Sequence, residues 1–189
     1  MPYNNALHIA AEAGNIAKVR SIVNKHDVNA RGEVGTTALF LAAQEGHGDI
    51  VDLLVELHAD VNIPDWEGWT ALTQAIVYGH TEVALSLLKV PTINVNHVND
   101  DGWGALLLAC SNDDTKVALA LISTTDVDVN HAEKDGCTPL IVSCALGHID
   151  VTQALLEIRG INVDHANHDG QKAIDVAKTE VSITPSSTF

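Results

Sequence analysis

His97, His131 and His165 stand 34 residues apart, each directly after a Val-Asn or Val-Asp pair. Recurring histidines raise the question of a zinc centre, which holds its nitrogens at about 2.0–2.1 Å. The recurrence itself argues against one, because residues repeated once per packed structural unit sit about 10 Å apart and cannot converge on one ion. The remaining pair, His165 and His168, offers two ligands at most. The three cysteines, Cys110, Cys137 and Cys144, are odd in number and lack CxxC spacing, and Cys110 and Cys144 also lie 34 residues apart. One unit of separation exceeds the roughly 7 Å Cα limit for a disulfide, so buried packing in a reducing compartment is the expected role. No nucleophile elbow, phosphate loop or dinucleotide fingerprint occurs. Neither catalysis nor a metal or other cofactor is expected.

Recognition chemistry is better represented. The stretches DWEGWTAL (65–72) and NDDGWGAL (99–106) each place a tryptophan just after a turn glycine, and they hold all three tryptophans of the chain. Glu67, Asp101, Asp135 and Asp169 each precede a glycine of this kind. The net charge of −15 opposes a nucleic-acid backbone and favours a basic protein or peptide. Aspartate before glycine is also ordinary turn chemistry, so the acidic row has a structural explanation beside the functional one. No run approaches the roughly 18 apolar residues of a membrane span, and the N-terminus lacks a secretory leader. An intracellular protein, cytoplasmic or nuclear and monomeric, is expected.

Those residues must be positioned by a repeated unit. NALHIAAEAGN, TALFLAAQEGH, TALTQAIVYGH, GALLLACSNDD and TPLIVSCALGH align, and KAIDVAKTE is a partial sixth. The blocks start at Asn5, Thr37, Thr70, Gly104, Thr138 and Lys172, a period of 32 to 34 residues. Each unit reads as helix, turn, helix and hairpin, with Thr37, Thr70 and Thr138 as helix caps, Gly14, Gly46, Gly79 and Gly147 as left-handed stops, a second helix with apolar residues at helical spacing, and two short β-prone pieces joined by a glycine turn. One repeat domain over residues 1–180 is expected, with a flexible tail over 181–189. Alanine at 42, 43, 75 and 109 lets the first helices approach closely.

With TTALFLAAQEGH…HADVN in the second unit and CTPLI in the fifth, the chain resembles the ankyrin-repeat family. The resemblance implies an all-α solenoid with hairpin fingers and a concave groove built from fingers and first helices. It implies a protein-binding module without catalysis. The groove slots it assigns include Trp66, Glu67, Trp69, Val77 and Tyr78 in the third unit. In the fourth and fifth they include Asp100, Asp101, Trp103, Asn112 and Asp135, with Val34, Thr36 and Gln44 in the second. Tryptophan and tyrosine are the side chains most enriched at binding hot spots. If the indoles serve recognition alone, replacing Trp69 and Trp103 together leaves thermal unfolding nearly unchanged. Other readings are a scaffold segment without its own ligand, a methyl-lysine cage of Trp66, Trp69 and Trp103, and hydroxylation of Asn62 by an asparaginyl hydroxylase. The fourth unit departs from the pattern at Gly104 and Asp113–Asp114 and is the expected soft point of the array.

Overall fold

The computed structural model describes residues 4–181. Its helices run in pairs: α1 (Ala6–Glu12) and α2 (Ile16–Ile22), α3 (Ala38–Gln44) and α4 (Gly48–Glu56), α5 (Ala71–Val77) and α6 (Thr81–Leu87), α7 (Ala105–Ser111) and α8 (Thr115–Ile122), and α9 (Pro139–Leu146) and α10 (Ile149–Leu156). A final helix, α11 (Ala173–Val181), is the first helix of the sixth unit. It runs one residue past the expected domain end, and the rest of the expected tail, 182–189, lies outside the described residues. No helix among the described residues is long and apolar enough to cross a membrane.

Local chemistry sets the helix starts. Thr37, Thr70 and Thr138 accept backbone N–H bonds from Phe40, Thr73 and Ile141, satisfying donors that an uncapped first turn leaves orphaned. Gly104 has no side chain to do this, and α7 starts without a side-chain cap. The first helices of the first, second, third and fifth units end at glycines with φ between 68° and 74°, and in the fourth unit Asp113 takes the same left-handed turn at φ 54°.

First helices pack on one another in series from α1 through α11, and second helices form a parallel series from α2 through α10. The core is the seam between the two layers. Leu7, Leu39, Leu72, Leu106 and Leu140 recur in it one per unit, all buried, each contributing about 1.5–3 kcal/mol on burial. Ala42, Ala43, Ala75 and Ala109 have no exposed surface, as close approach of the helices requires.

The fingers contain no extended strands among the described residues. Isolated antiparallel bridges join Val98 to Gly104 and Ala166 to Lys172, and the fingers close mainly by side-chain chemistry. Asp65 Oδ1 accepts from the backbone N–H groups of Glu67 and Trp69 at 3.0 and 2.9 Å. Asn99 does the same for Asp101 and Trp103, Glu133 for Asp135 and Cys137, and Asn167 for Asp169 and Gln171. Successive fingers are tied by main-chain bonds. Trp66 N donates to Val34 O at 2.9 Å, Asp100 to Glu67 at 3.4 Å, Lys134 to Asp101 at 2.9 Å and His168 to Asp135 at 2.9 Å.

Candidate functional site

The histidine column is a set of inter-repeat hydrogen bonds. Nε2 of His97, His131 and His165 donates to the carbonyls of Gly68, Gly102 and Gly136 at 3.0, 2.8 and 3.0 Å, each on the preceding finger. His47 and His80 reach back in the same way to Glu12 O and Gln44 O, and His148 donates from Nδ1 to Cys110 O. A carbonyl only accepts, so each ring nitrogen so engaged carries its proton. No cluster of three metal-ligating side chains exists among the described residues. The cysteines are free. Burial pushes the Cys110 thiol up to about 12 and raises those of Cys137 and Cys144 as well, the reverse of what activates a nucleophilic thiol.

Asn62 is bonded at both ends of its amide. Nδ2 donates to Thr92 O at 2.8 Å, and Oδ1 accepts from Asn94 N at 2.8 Å. Asn96 and Asn130 repeat the pattern one and two units on. This asparagine column is a second seam between units.

The expected recognition residues divide into three groups. The first lines an open cleft of about 350 Å³ between the second and third units, where Glu67, Trp69, Val77 and Tyr78 meet Val34, Thr36 and Gln44. Val77 and Tyr78 are exposed, whereas Trp69 is half-buried and packs on the core. Val34 adopts φ 50°, a left-handed conformation that a β-branched side chain resists. It is held there while its carbonyl accepts the Trp66 N–H.

The second group continues across the next two fingers. Asp100, Asp101 and Asp135 are exposed, and Trp103 is half-buried against the core in the manner of Trp69. The acidic row does not hold the turns, because that work is done two residues earlier by Asp65, Asn99, Glu133 and Asn167. Asp101 is engaged from another side by Lys134 Nζ at 3.2 Å, an exposed pair worth about 0–1 kcal/mol. That leaves Glu67, Asp100, Asp135 and Asp169 as exposed carboxylates without a bonding partner among the described residues.

The third group is turned to structural use. Asn112 Nδ2 donates to Ile76 O at 2.9 Å, and Asn112 borders a separate hollow with Thr81 and Lys116. Trp66 is 54% exposed, yet its ring edge lies over the preceding turn, where a Cβ on Gly35 would come within 2.5 Å of Trp66 Cδ1. Neither Trp66 nor Trp103 lines the Trp69 cleft, so that cleft does not gather three indoles into a cage.

Sequence reasoning passed over Gln74, which lines the same cleft. The residue is 9% exposed, and its buried Oε1 has no hydrogen-bond partner among the described residues. The signal was present in the repeat register: the equivalent residues are Ile9, Leu41, Leu108 and Val142, all aliphatic. Asp65, whose carboxylate organises the finger beside the cleft, was also passed over, because its bonds to the Glu67 and Trp69 N–H groups exist only in the folded turn.

Residues 7–97 and 90–167 match the family model for ankyrin repeats in three copies. Among curated proteins, the mouse ankyrin repeat and SAM domain-containing protein 6 is 43% identical over 82 residues, which is 42% of this chain but 9% of that protein. The zebrafish Notch-regulated ankyrin repeat-containing protein A is 33% identical over 84 residues, covering 42% of this chain and 75% of that one. This chain therefore spans only a small part of the mouse relative. A chain of the solved complex of the Bd0816 predatory endopeptidase from Bdellovibrio bacteriovorus with immunity protein Bd3460 superposes with a TM-score of 0.82. That chain is 31% identical, and the match covers 95% of this chain and 94% of that one. With the helix pairs, the fingers and the asparagine and histidine seams all repeating on one period, the chain belongs to the ankyrin-repeat family.

Proposed function

We propose that this protein is a non-catalytic interaction module that takes a basic protein or peptide segment along its concave groove. The observation that carries this reading is the cleft beside Trp69, where exposed Val77 and Tyr78 supply apolar anchors next to the Glu67 carboxylate. Exposed Asp100 and Asp135 extend the negative surface along the fingers. Aromatic anchors give affinity, and like charges spaced along a surface steer an oppositely charged partner. Three free cysteines fit a reducing, intracellular setting, and the module acts as a monomer.

Titration calorimetry with unstructured segments of matched length, one lysine- and arginine-rich and one acidic, tests it. The basic segment binds, more weakly at high salt and more weakly still to the Glu67→Gln, Asp100→Asn variant. Equal binding of both segments, or binding indifferent to salt and to the charge removal, refutes it. Absence of binding by either segment favours a scaffold role without a groove ligand. Preference for a trimethylated over an unmodified lysine segment would favour a methyl-lysine reader, and oxygen addition at Asn62 a hydroxylase substrate.

A second reading rests on the structural relative, a chain from a complex between an endopeptidase and an immunity protein. By that likeness the partner is a folded protein, such as a peptidase, laid across several fingers. A hydrogen-exchange footprint spread over all fingers supports the folded partner, and one confined to the second to fourth units supports the extended segment.

A further inference from the structure

Gln74 is a buried amide in a column that is otherwise aliphatic, and its Oε1 has no hydrogen-bond partner among the described residues. A buried carbonyl oxygen without a donor is destabilising. Such a cost is characteristically retained where a site awaits a ligand. Gln74 lines the cleft between the second and third units together with Phe40, Gln44, Glu67, Trp69 and Tyr78, and its Oε1 lies beneath the cleft surface, shielded from solvent.

We infer that this cleft is a pocket for a single arginine side chain of the partner, with Gln74 Oε1 as the acceptor that selects it. The inference rests on the groove reading above and names the residue class the groove takes at this point. Three features converge on arginine. The shielded acceptor lacks an N–H donor, and a turn of the Gln74 amide toward the cleft presents it to a guanidinium, which offers five donors in a fixed plane. The Glu67 carboxylate lines the cleft, has no hydrogen bond among the described residues, and can take a second N–H from the same fork. Trp69 and Tyr78 supply aromatic faces on which a guanidinium and its aliphatic stem stack. Lysine meets these demands less well. Its ammonium is a strongly hydrated point charge that must be stripped of water to reach a buried oxygen.

Side-chain groups nearby are engaged with other partners, and among the described residues none donates to Gln74 Oε1. Thr36 Oγ1 donates to Glu33 O at 2.9 Å, Gln44 Nε2 donates to Glu45 Oε1 at 3.0 Å, and Asp65 Oδ1 holds its own finger.

The test uses blocked pentapeptides Gly-Gly-X-Gly-Gly with X as arginine, lysine or citrulline, titrated into the labelled intact chain. Amide and indole N–H resonances are followed by NMR. The arginine peptide moves the Gln74 side-chain amide and the Trp69 indole but leaves the Trp103 indole in place. It binds about tenfold more tightly than the lysine peptide, the scale of one hydrogen bond to a charged donor. Citrulline, which keeps N–H donors but not charge, falls between. Gln74→Leu, which restores the aliphatic residue of the column, removes the preference for arginine over lysine. Equal response to arginine and lysine, or an unchanged arginine preference in Gln74→Leu, overturns the inference. A 12-residue lysine–glycine peptide separates the two claims. If it perturbs Asp100 and Trp103 while the arginine pentapeptide leaves Gln74 unmoved, the groove stands and the arginine pocket falls. If neither peptide has any effect, both fall.

Discussion

Asn112 donates from Nδ2 to the main-chain oxygen of Ile76 at 2.9 Å, tying the fourth unit to the third. In the second, third and fifth units His47, His80 and His148 make the corresponding reach, and at that place the fourth has Asp114. Asp114 is instead the N-cap of α8, accepting from Val117 N, and it accepts the Thr81 hydroxyl at 2.6 Å. The substitutions that make this unit look irregular in sequence are thus partly compensated by one another.

What is not compensated is the backbone of Asp113, at φ 54°. Asp113→Gly, which restores the residue of the other units, is expected to raise stability by about 1 kcal/mol. Chemical denaturation checks it, and hydrogen exchange should show slower opening in α7 and α8. A loss of stability would mean that the Asp113 side chain contributes more than its conformation costs.

Gln74→Leu should also stabilise the free protein, by about 1–2 kcal/mol, because it replaces an unpartnered buried oxygen with an apolar side chain. Thermal unfolding of the isolated protein measures this. A lower midpoint would show that Gln74 is satisfied in solution.

The tryptophans are expected to separate by packing. Trp69 and Trp103 lie half-buried on the core, so alanine at either should cost about 1–2 kcal/mol, a fraction of the loss for a fully buried ring. Trp66→Ala should cost less than about 0.5 kcal/mol. Equilibrium denaturation of the three variants checks the order. The expectation from sequence that unfolding ignores loss of Trp69 and Trp103 gives way to this, because an indole beyond a turn can still lay one face on the helices beneath. Binding tests at these positions should therefore use phenylalanine beside alanine.

Acid sensitivity is expected at the N-terminal unit. His8 is buried and neutral: Nδ1 accepts from Asn5 N at 3.2 Å and Nε2 donates to Ala30 O at 3.0 Å. Burial is the main cause that holds its pKa below the usual 6.5, opposed in part by backbone hydrogen bonds with Ala30 and Thr36. The folded value lies below the unfolded one, so on acidification the unfolded chain takes up the proton first. The His8 contribution is complete above the unfolded pKa and is lost as pH falls below 6.5 towards the folded value. Midpoints measured from about pH 7.5 to about pH 5 should fall, and His8→Thr should flatten that slope. The threonine preserves the reciprocal cap that Thr73 makes with Thr70. An identical slope in the variant would locate the acid sensitivity elsewhere.

The sequence by itself determined the period, the helix pairs, their caps and the columns, because each of these depends on residues within one unit or on the same slot in the next. Thr37, Thr70 and Thr138 announce their helices locally, and the 34-residue spacing of His97, His131 and His165 places one histidine at the same slot of successive units. Tertiary structure decided which side chains of neighbouring units share a space and which of their polar atoms are already taken. The amides of Asn62 and Asn112 look available in sequence but are spent on the next and the preceding unit, whereas the buried Gln74 Oε1 is left without a partner among the described residues. A hydrogen bond between units depends on where two distant backbones come to rest, and that is fixed only when the whole stack is packed.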